Sequence, residues 1–235
     1  MPHEGTNSAI AAARPGTPVD ETVPPAADVG PTAFILPDEL QRGIPVSDHP
    51  TIWNYSTFSG RFGEISARHA SATLTLAFRL VLEAQRRNEP AAWVTGRTSA
   101  FYPPDVAEAA IDLDALIVVR APDNRRMARA ADALLRSGGF GLIVLDLGAD
   151  TRGLTPPMQS RLVGLAKKHQ TALICLTEKE TRHPSIGSLV SIRAEATRTR
   201  DRDDRYTCRA QILKDKRRGP GWQHKEVFRG PDGLR

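Results

Sequence analysis

Between Gly63 and Gln85 the chain reads GEISARHASATLTLAFRLVLEAQ. A short apolar strand, a loop of small residues and a long helix follow one another, with Leu74, Phe78, Val81 and Leu82 as the helix's apolar positions. Strand, tight loop, helix is the order in which backbone N–H groups and a helix N-terminus hold phosphate. The side chains in between are wrong for that chemistry. Ala67, Arg68, His69, Ala70, Ser71, Ala72, Thr73 and Leu74 stand where glycines and a closing Gly-Lys-Ser/Thr are required. A methyl group at a glycine position blocks positive φ and keeps the backbone amides away from an anion. Arg68 and His69 are the loop's remaining anion candidates, with a solvent-facing loop as the plainer reading.

Other charged groups are candidates for binding rather than for catalysis. Lys214-Asp215-Lys216-Arg217-Arg218 is a compact basic run, and Lys179, Arg182 and His183 form a second, looser one able to touch phosphates. Trp222 and Tyr206 are available for stacking on bases. The formal net charge of +5 hides an asymmetry. Residues 1–50 hold two arginines against seven acids, whereas residues 193–235 hold thirteen Lys/Arg against seven acids. A basic end suits nucleic acid or an acidic partner, and mixed runs such as Arg198–Arg205 read equally well as a solvated charged face.

These residues need elements to position them. At 235 residues, 40% hydrophobic and 25% charged, the chain suits one domain and a tail. Residues 1–45 form a Pro/Ala-rich segment expected to be disordered: residues 1–31 hold six prolines and almost no large apolar side chains to offset ordering entropy. Ala33-Phe34-Ile35-Leu36 is a short apolar run, either this domain's first strand or one that adds to a sheet edge. Residues 46–235 are the core domain. Strands are expected at Gly63–Ser66, Ala91–Thr95, Leu116–Val119, Gly141–Leu147 and Thr171–Thr177, read as apolar runs. Helices alternate with them: one opened by Pro103-Pro104-Asp105, one capped by Asp123 and ended by Gly138-Gly139, one from Thr155 to about Lys168. Apolar strands alternating with helices imply a parallel sheet covered on both faces. After Gly187 the period becomes two, so Leu189–Thr197, Tyr206–Lys214 and a last short strand at Val227-Phe228 read as an antiparallel extension.

No apolar run is long enough to cross a bilayer, and the N-terminus lacks a basic region leading into an apolar block, which predicts a cytoplasmic protein. Cys175 and Cys208 lie in apolar or alternating runs without metal-ligand spacing and read as buried free thiols. No metal and no cofactor is expected.

The order of these pieces resembles the RecA family of recombinases from Gly60-Arg61 to the C-terminus. Gly63-Glu64-Ile65 is similar to the family's strand before its phosphate loop. Ala133-Leu134-Leu135-Arg136-Ser137-Gly138, followed by Leu142-Ile143-Val144-Leu145-Asp146, is similar to its helix and Walker B strand. Ile212-Leu213-Lys214-Asp215-Lys216 resembles a segment whose lysines face the nucleotide of a neighbouring protomer. The resemblance implies a RecA-like α/β fold, a mostly parallel sheet flanked by helices with an antiparallel C-terminal extension.

It also implies a lost active site. Thr73 stands for the family's phosphate-binding lysine, Leu74 for its magnesium-binding hydroxyl, Arg97 for its catalytic glutamate and Glu178 for its γ-phosphate-sensing glutamine; only Asp146 remains. Losing base, metal ligand and phosphate clamp together removes the large terms of phosphoryl transfer, so no ATPase is expected. The segments Asp150–Pro157 and Lys179–Ile186 are short beside the family's DNA-binding loops. Length and degeneracy together resemble the ImuA group, SulA- or RecA-like accessories of the SOS mutasome. The implied partners are RecA, an inactive Y-family polymerase homologue and a replicative-type polymerase. In that reading Lys214, Lys216, Arg217 and Arg218 contact the partner. The alternatives are a DNA-binding repair accessory that uses the basic end, and an ATPase with an unconventional loop.

Overall fold

In the computed structural model the described residues are 53–68, 71–96, 101, 109–201 and 205–229, all within one compact unit. The expected N-terminal segment and the Ala33–Leu36 run, His69, Ala70, Arg97 and the helix opened by Pro103-Pro104-Asp105 lie outside them.

Eight strands form one sheet: β1 (Phe62–Ala67), β2 (Ala91–Thr95), β3 (Leu116–Arg120), β4 (Leu142–Gly148), β5 (Ala172–Glu178), β6 (Ile192–Arg200), β7 (Arg205–Asp215) and β8 (Gln223–Arg229). Their spatial order is β3-β2-β4-β5-β1-β6-β7-β8. The first six run parallel, and β7 and β8 are added antiparallel. The described helices are α1 (Tyr55–Phe58), α2 (Thr73–Arg86), α3 (Asn124–Ser137) and α4 (Pro156–His169).

Every residue of β1 and β2 is buried, as a parallel sheet covered on both faces requires. On one face, α2 packs Leu76, Ala77, Leu80, Val81 and Ala84 against Ile65, Trp93, Val144 and Ile174. The 76/80/84 and 77/81 rows are the i, i+4 spacing of a helix stripe. Leu74, expected within that stripe, is only partly buried at its margin. Trp53 and Trp93 are fully buried, as aromatic core residues. On the opposite face, α3 and α4 cover Val94, Ile143, Leu145 and Leu173.

Helix ends follow local chemistry. Asp123 accepts a hydrogen bond from Arg126 N at 2.8 Å as the N-cap of α3. Gly138 ends that helix with φ of 69°, the left-handed conformation glycine adopts without a Cβ penalty. At α4, Thr155 precedes Pro156 and Pro157, and its side chain makes no cap hydrogen bond; the fixed φ of proline starts the helix instead.

The β6 boundary differs from expectation. The strand begins at Ile192, not Leu189, because Val190 N turns back to Gly187 O at 3.3 Å. Leu189 and Val190 pack with Ile186 onto the α3/α4 side of the sheet. The loop between β5 and β6 therefore covers the β1 and β6 end of a face whose other end is covered by helices. At the far edge, β8 is a seven-residue strand rather than a two-residue one. No helix among the described residues is long and apolar enough to cross a membrane.

Candidate functional site

The β1–α2 loop and the basic run after β7 occupy two ends of the same central strands, and they are built differently. At the loop, Ala67 closes β1 and is buried, with its carbonyl accepting Lys179 N at 3.1 Å. Ala72 is completely buried in the α2 core, and Leu74 packs against the same cluster. Ser71 Oγ takes the hydrogen bond of Thr73 N at 3.0 Å and meets Thr73 Oγ1 at 2.5 Å. One of the helix's free N-terminal amides, Thr73 N, is thus satisfied from within its own chain. Arg68 forms an ion pair with Glu180. Asp146 is half-buried at the end of β4, where it accepts a 3.4 Å hydrogen bond from Thr95 Oγ1. Glu178 lies exposed at the end of β5, in register with Ala67.

The loop after β5 is fastened by charges that the sequence reading did not single out. Glu64 is fully buried in the middle of β1. Its carboxylate accepts from Thr177 Oγ1 at 2.8 Å and Ile186 N at 3.0 Å, and it pairs with Lys179 Nζ at 2.5 Å. Lys179 Nζ also donates to Pro184 O at 2.6 Å. Burial lowers the Lys179 pKa, and the hydrogen bond and charge of Glu64 oppose that shift. Arg193 on β6, also buried, donates to Ser66 Oγ at 3.2 Å and to the carbonyls of His183 and Glu180. A buried charge is costly unless paired and hydrogen-bonded; Glu64 is both, and Arg193 is held by its hydrogen bonds.

Of the three phosphate-contact candidates on this loop, Lys179 is therefore committed to Glu64. Arg182 pairs with Glu180 at 2.6 Å, and His183 is exposed. The stacking candidates are engaged as well. Trp222 is half-buried and donates Nε1 to Asp215 Oδ2 at 3.2 Å, and the Arg198 guanidinium sits 5.1 Å over the Tyr206 ring. Cys175 and Cys208 are both buried free thiols; burial holds both pKa values up, that of Cys208 to about 11.

The basic run is a turn mounted on a buried ion pair. Arg61 Nη2 meets Asp215 Oδ1 at 2.6 Å, with side-chain exposures of 3% and 0%. Arg61 also donates to Thr57 O at 3.1 Å and Ser191 O at 2.9 Å. Asp215 additionally accepts Arg217 N at 2.8 Å, which fixes the path of the turn. Burial pushes the Asp215 carboxyl up, but the hydrogen bonds from Arg217 N and Arg61 and the Arg61 charge outweigh it and leave the pKa below the usual value. Lys214 and Lys216 both reach Ser188 O, at 3.3 and 2.8 Å, and the side chains of Lys216, Arg217 and Arg218 are exposed. Lys214 is paired in register with Arg193; burial and the Lys216 charge lower its pKa.

The structure thus joins two groups the sequence kept apart. The 179–190 loop and the 214–218 turn meet at Ser188, with Glu64, Arg193, Arg61 and Asp215 beneath them. The sequence signal for Glu64, Arg193 and Asp215 was a charged residue within a strand, and for Arg61 one directly before it.

No family model matches the chain. Over 87 residues it is 33% identical to protein RecA of Bifidobacterium breve, covering 37% of this chain and 22% of that protein. Over 87 residues it is 30% identical to protein RecA of Rickettsia massiliae (strain Mtu5), covering 37% and 25%. Over 131 residues it is 31% identical to protein RecA of Corynebacterium jeikeium (strain K411), covering 50% and 34%. The chain spans about a quarter to a third of the length of these curated relatives. With an eight-stranded, mostly parallel sheet between helices and an antiparallel C-terminal extension, the chain is RecA-like in sequence and in fold.

Proposed function

We propose that this chain is a non-catalytic RecA-like regulator of the DNA damage response. It is of the ImuA type and acts through protein contacts in SOS mutagenesis and translesion synthesis. In a RecA-like filament, nucleotide is held between the phosphate loop of one protomer and lysines of the next. This chain has retained Lys214 and Lys216, on a turn fixed by Asp215. Its own loop has been filled by Ala67, Ala72 and the Ser71–Thr73 pair. The lysine-bearing face docks onto the nucleotide of a true RecA protomer, with Arg217 and Arg218 adding to the contact. The opposite face offers no phosphate site for a further subunit. Such a molecule caps a filament or promotes its disassembly, and leaves the lesion to mutagenic polymerases.

The observation that carries this reading is the asymmetry between the two ends: a half-buried and an exposed lysine fastened on one turn, and Ala67 and Ala72 buried at the two sides of the loop. The reading includes no ATP hydrolysis by this chain.

The test is disassembly of preformed RecA filaments by the purified protein and by Lys214→Ala/Lys216→Ala. Loss of activity in the double variant, with an unchanged melting temperature, supports lysine docking. Equal activity in both proteins overturns it.

A further inference from the structure

The two edges of the sheet are finished differently. β8 ends one side with His224, Lys225 and Glu226 inside the strand. Charged side chains on an edge discourage another strand from pairing with it. β3 ends the other side with Leu116-Ile117-Val118-Val119-Arg120. Its register with β2 runs without a bulge, and the strand contains neither proline nor lysine, so the usual guards of an edge are missing. The large apolar side chains exposed among the described residues are Leu113, Ile117, Val118 and Val227. All but Val227 fall on β3 or the turn that enters it, with Ile117 50%, Leu113 39% and Val118 36% exposed.

A free edge also has backbone groups to satisfy. In a parallel pair, alternate residues face the neighbouring strand. Ala121 N donates to Thr95 O on β2 at 2.9 Å. Val119 and Ile117 therefore face β2 as well, and Val118 and Arg120 turn their N–H and C=O groups off the sheet. Leu116 N is taken by Leu113 O at 3.3 Å, which leaves its carbonyl. The approach to this edge is held from within. Gln85 on α2 donates to Asp112 O at 2.8 Å and accepts Asp112 N at 3.0 Å, and Asp112 Oδ1 accepts Asp114 N at 2.9 Å. The strand thus has an acid just before its start, Asp114, and a base at its end, Arg120, both exposed.

We infer that β3 is a self-association edge, which pairs antiparallel with β3 of a second copy of this chain about a two-fold axis at Val118. In that register the free groups match. Val118 N–H and C=O meet those of Val118 across the axis, and Arg120 N–H meets Leu116 C=O on either side of it. Ile117 of each copy faces Val119 of the other, which covers the most exposed apolar side chain of the edge. Arg120 lies across from Leu116 and diagonal to Asp114, a separation of roughly 7–8 Å that a long side chain spans. A parallel arrangement would set acid against acid and base against base, so the charges select the antiparallel one. The contact is isologous, occupies the edge of both copies and stops at a dimer. It stands apart from the docking reading, whose lysines lie on the turn after β7, toward the other side of the sheet.

The test is sedimentation equilibrium of the full chain over a concentration series, with a far-ultraviolet circular dichroism spectrum of every variant. Wild type is expected to dimerise. Ile117→Lys supplies the residue that guards natural edges, and is expected to weaken the dimer roughly tenfold or more with an unchanged spectrum. Arg120→Asp sets acid against acid twice across the axis and is expected to weaken it about fivefold. Asp114→Arg/Arg120→Asp exchanges the two charges and is expected to restore it to within about twofold of wild type. Should Ile117→Lys alter the spectrum, the charge series decides alone. A wild type that is monomeric throughout, an Ile117→Lys variant that dimerises as well as wild type, or a double variant no tighter than Arg120→Asp overturns the proposal. So does a dimer kept in Ile117→Lys and lost in Phe34→Lys, which gives the association to the apolar run at residues 33–36.

Discussion

The start of α2 and the turn after β7 were both candidates for holding phosphate, and the fold treats them in opposite ways. At the start of α2, small apolar residues close the loop that leads out of β1. Ala67 and Ala72 are buried, and Ser71 takes the Thr73 amide. At the turn, charge has been buried in order to hold other charge at the surface. Arg61 and Asp215 are almost wholly inaccessible, and Lys216, Arg217 and Arg218 project above them. An apolar filling needs no partner, whereas a buried ion pair is costly unless its geometry is retained. The second arrangement is thus the one that specifies a surface.

The largest expected effect comes from breaking that foundation. Arg61→Ala leaves the Asp215 carboxylate buried without its guanidinium, and loss of one partner of a buried pair costs about 3–5 kcal/mol. Urea denaturation measures it. A cost below about 1 kcal/mol, the range of an exposed pair, would show that the turn does not depend on the pair, and the comparison would fail on that side. Glu64→Gln comes next. It removes the charge facing Lys179 but keeps a group of similar shape able to accept from Ile186 N. About 2–3 kcal/mol is expected, with faster hydrogen exchange through residues 179–190.

Acid titration separates the turn from the rest of the molecule. Asp215 has a folded pKa below its usual 3.8. Its contribution is therefore present above about pH 4 and is lost as pH falls through the lower, folded value. Asp215→Asn lacks this dependence. The stability difference between wild type and Asp215→Asn should stay constant from neutral pH to about 5 and shrink below about 4. A difference that is flat through pH 3 would contradict the assignment.

How much of this was legible in the sequence follows from which forces act locally. The five apolar strands and the helices at Asp123 and Thr155 are written in runs, caps and prolines, and the structure has them within a residue or two. The antiparallel extension was visible in the change of period at β6 and β7. The start of β6 was not, because Leu189 and Val190 are apolar either way and only tertiary packing diverts them from the strand. Glu64 and Arg193 were missed for a related reason. Each is one charged residue in a strand; Glu64 pairs with Lys179 more than 100 residues away, and Arg193 bonds Ser66 across 127 residues besides two carbonyls of the nearby loop. Lys179 was readable as a basic loop residue, but its commitment to Glu64 was not.

The remaining prediction has the smallest effect on stability and bears most directly on the emptied loop. Thr73→Lys/Leu74→Ser introduces the two side chains that bind β/γ-phosphate and magnesium in a phosphate loop. Thr73 is half-buried at the helix start and Leu74 packs only partly on the core, so the change should cost about 1 kcal/mol. The expected outcome is a folded protein with no saturable ATP binding in an isothermal titration. The obstacle is backbone as much as side chain: Ala67 and Ala72 remain, packed into the α2 core, and the Thr73 amide stays committed to Ser71. Micromolar ATP binding by the double variant would mean that the loop still adopts a phosphate-holding path. The contrast between a filled end and a built end would then reduce to the loss of two side chains.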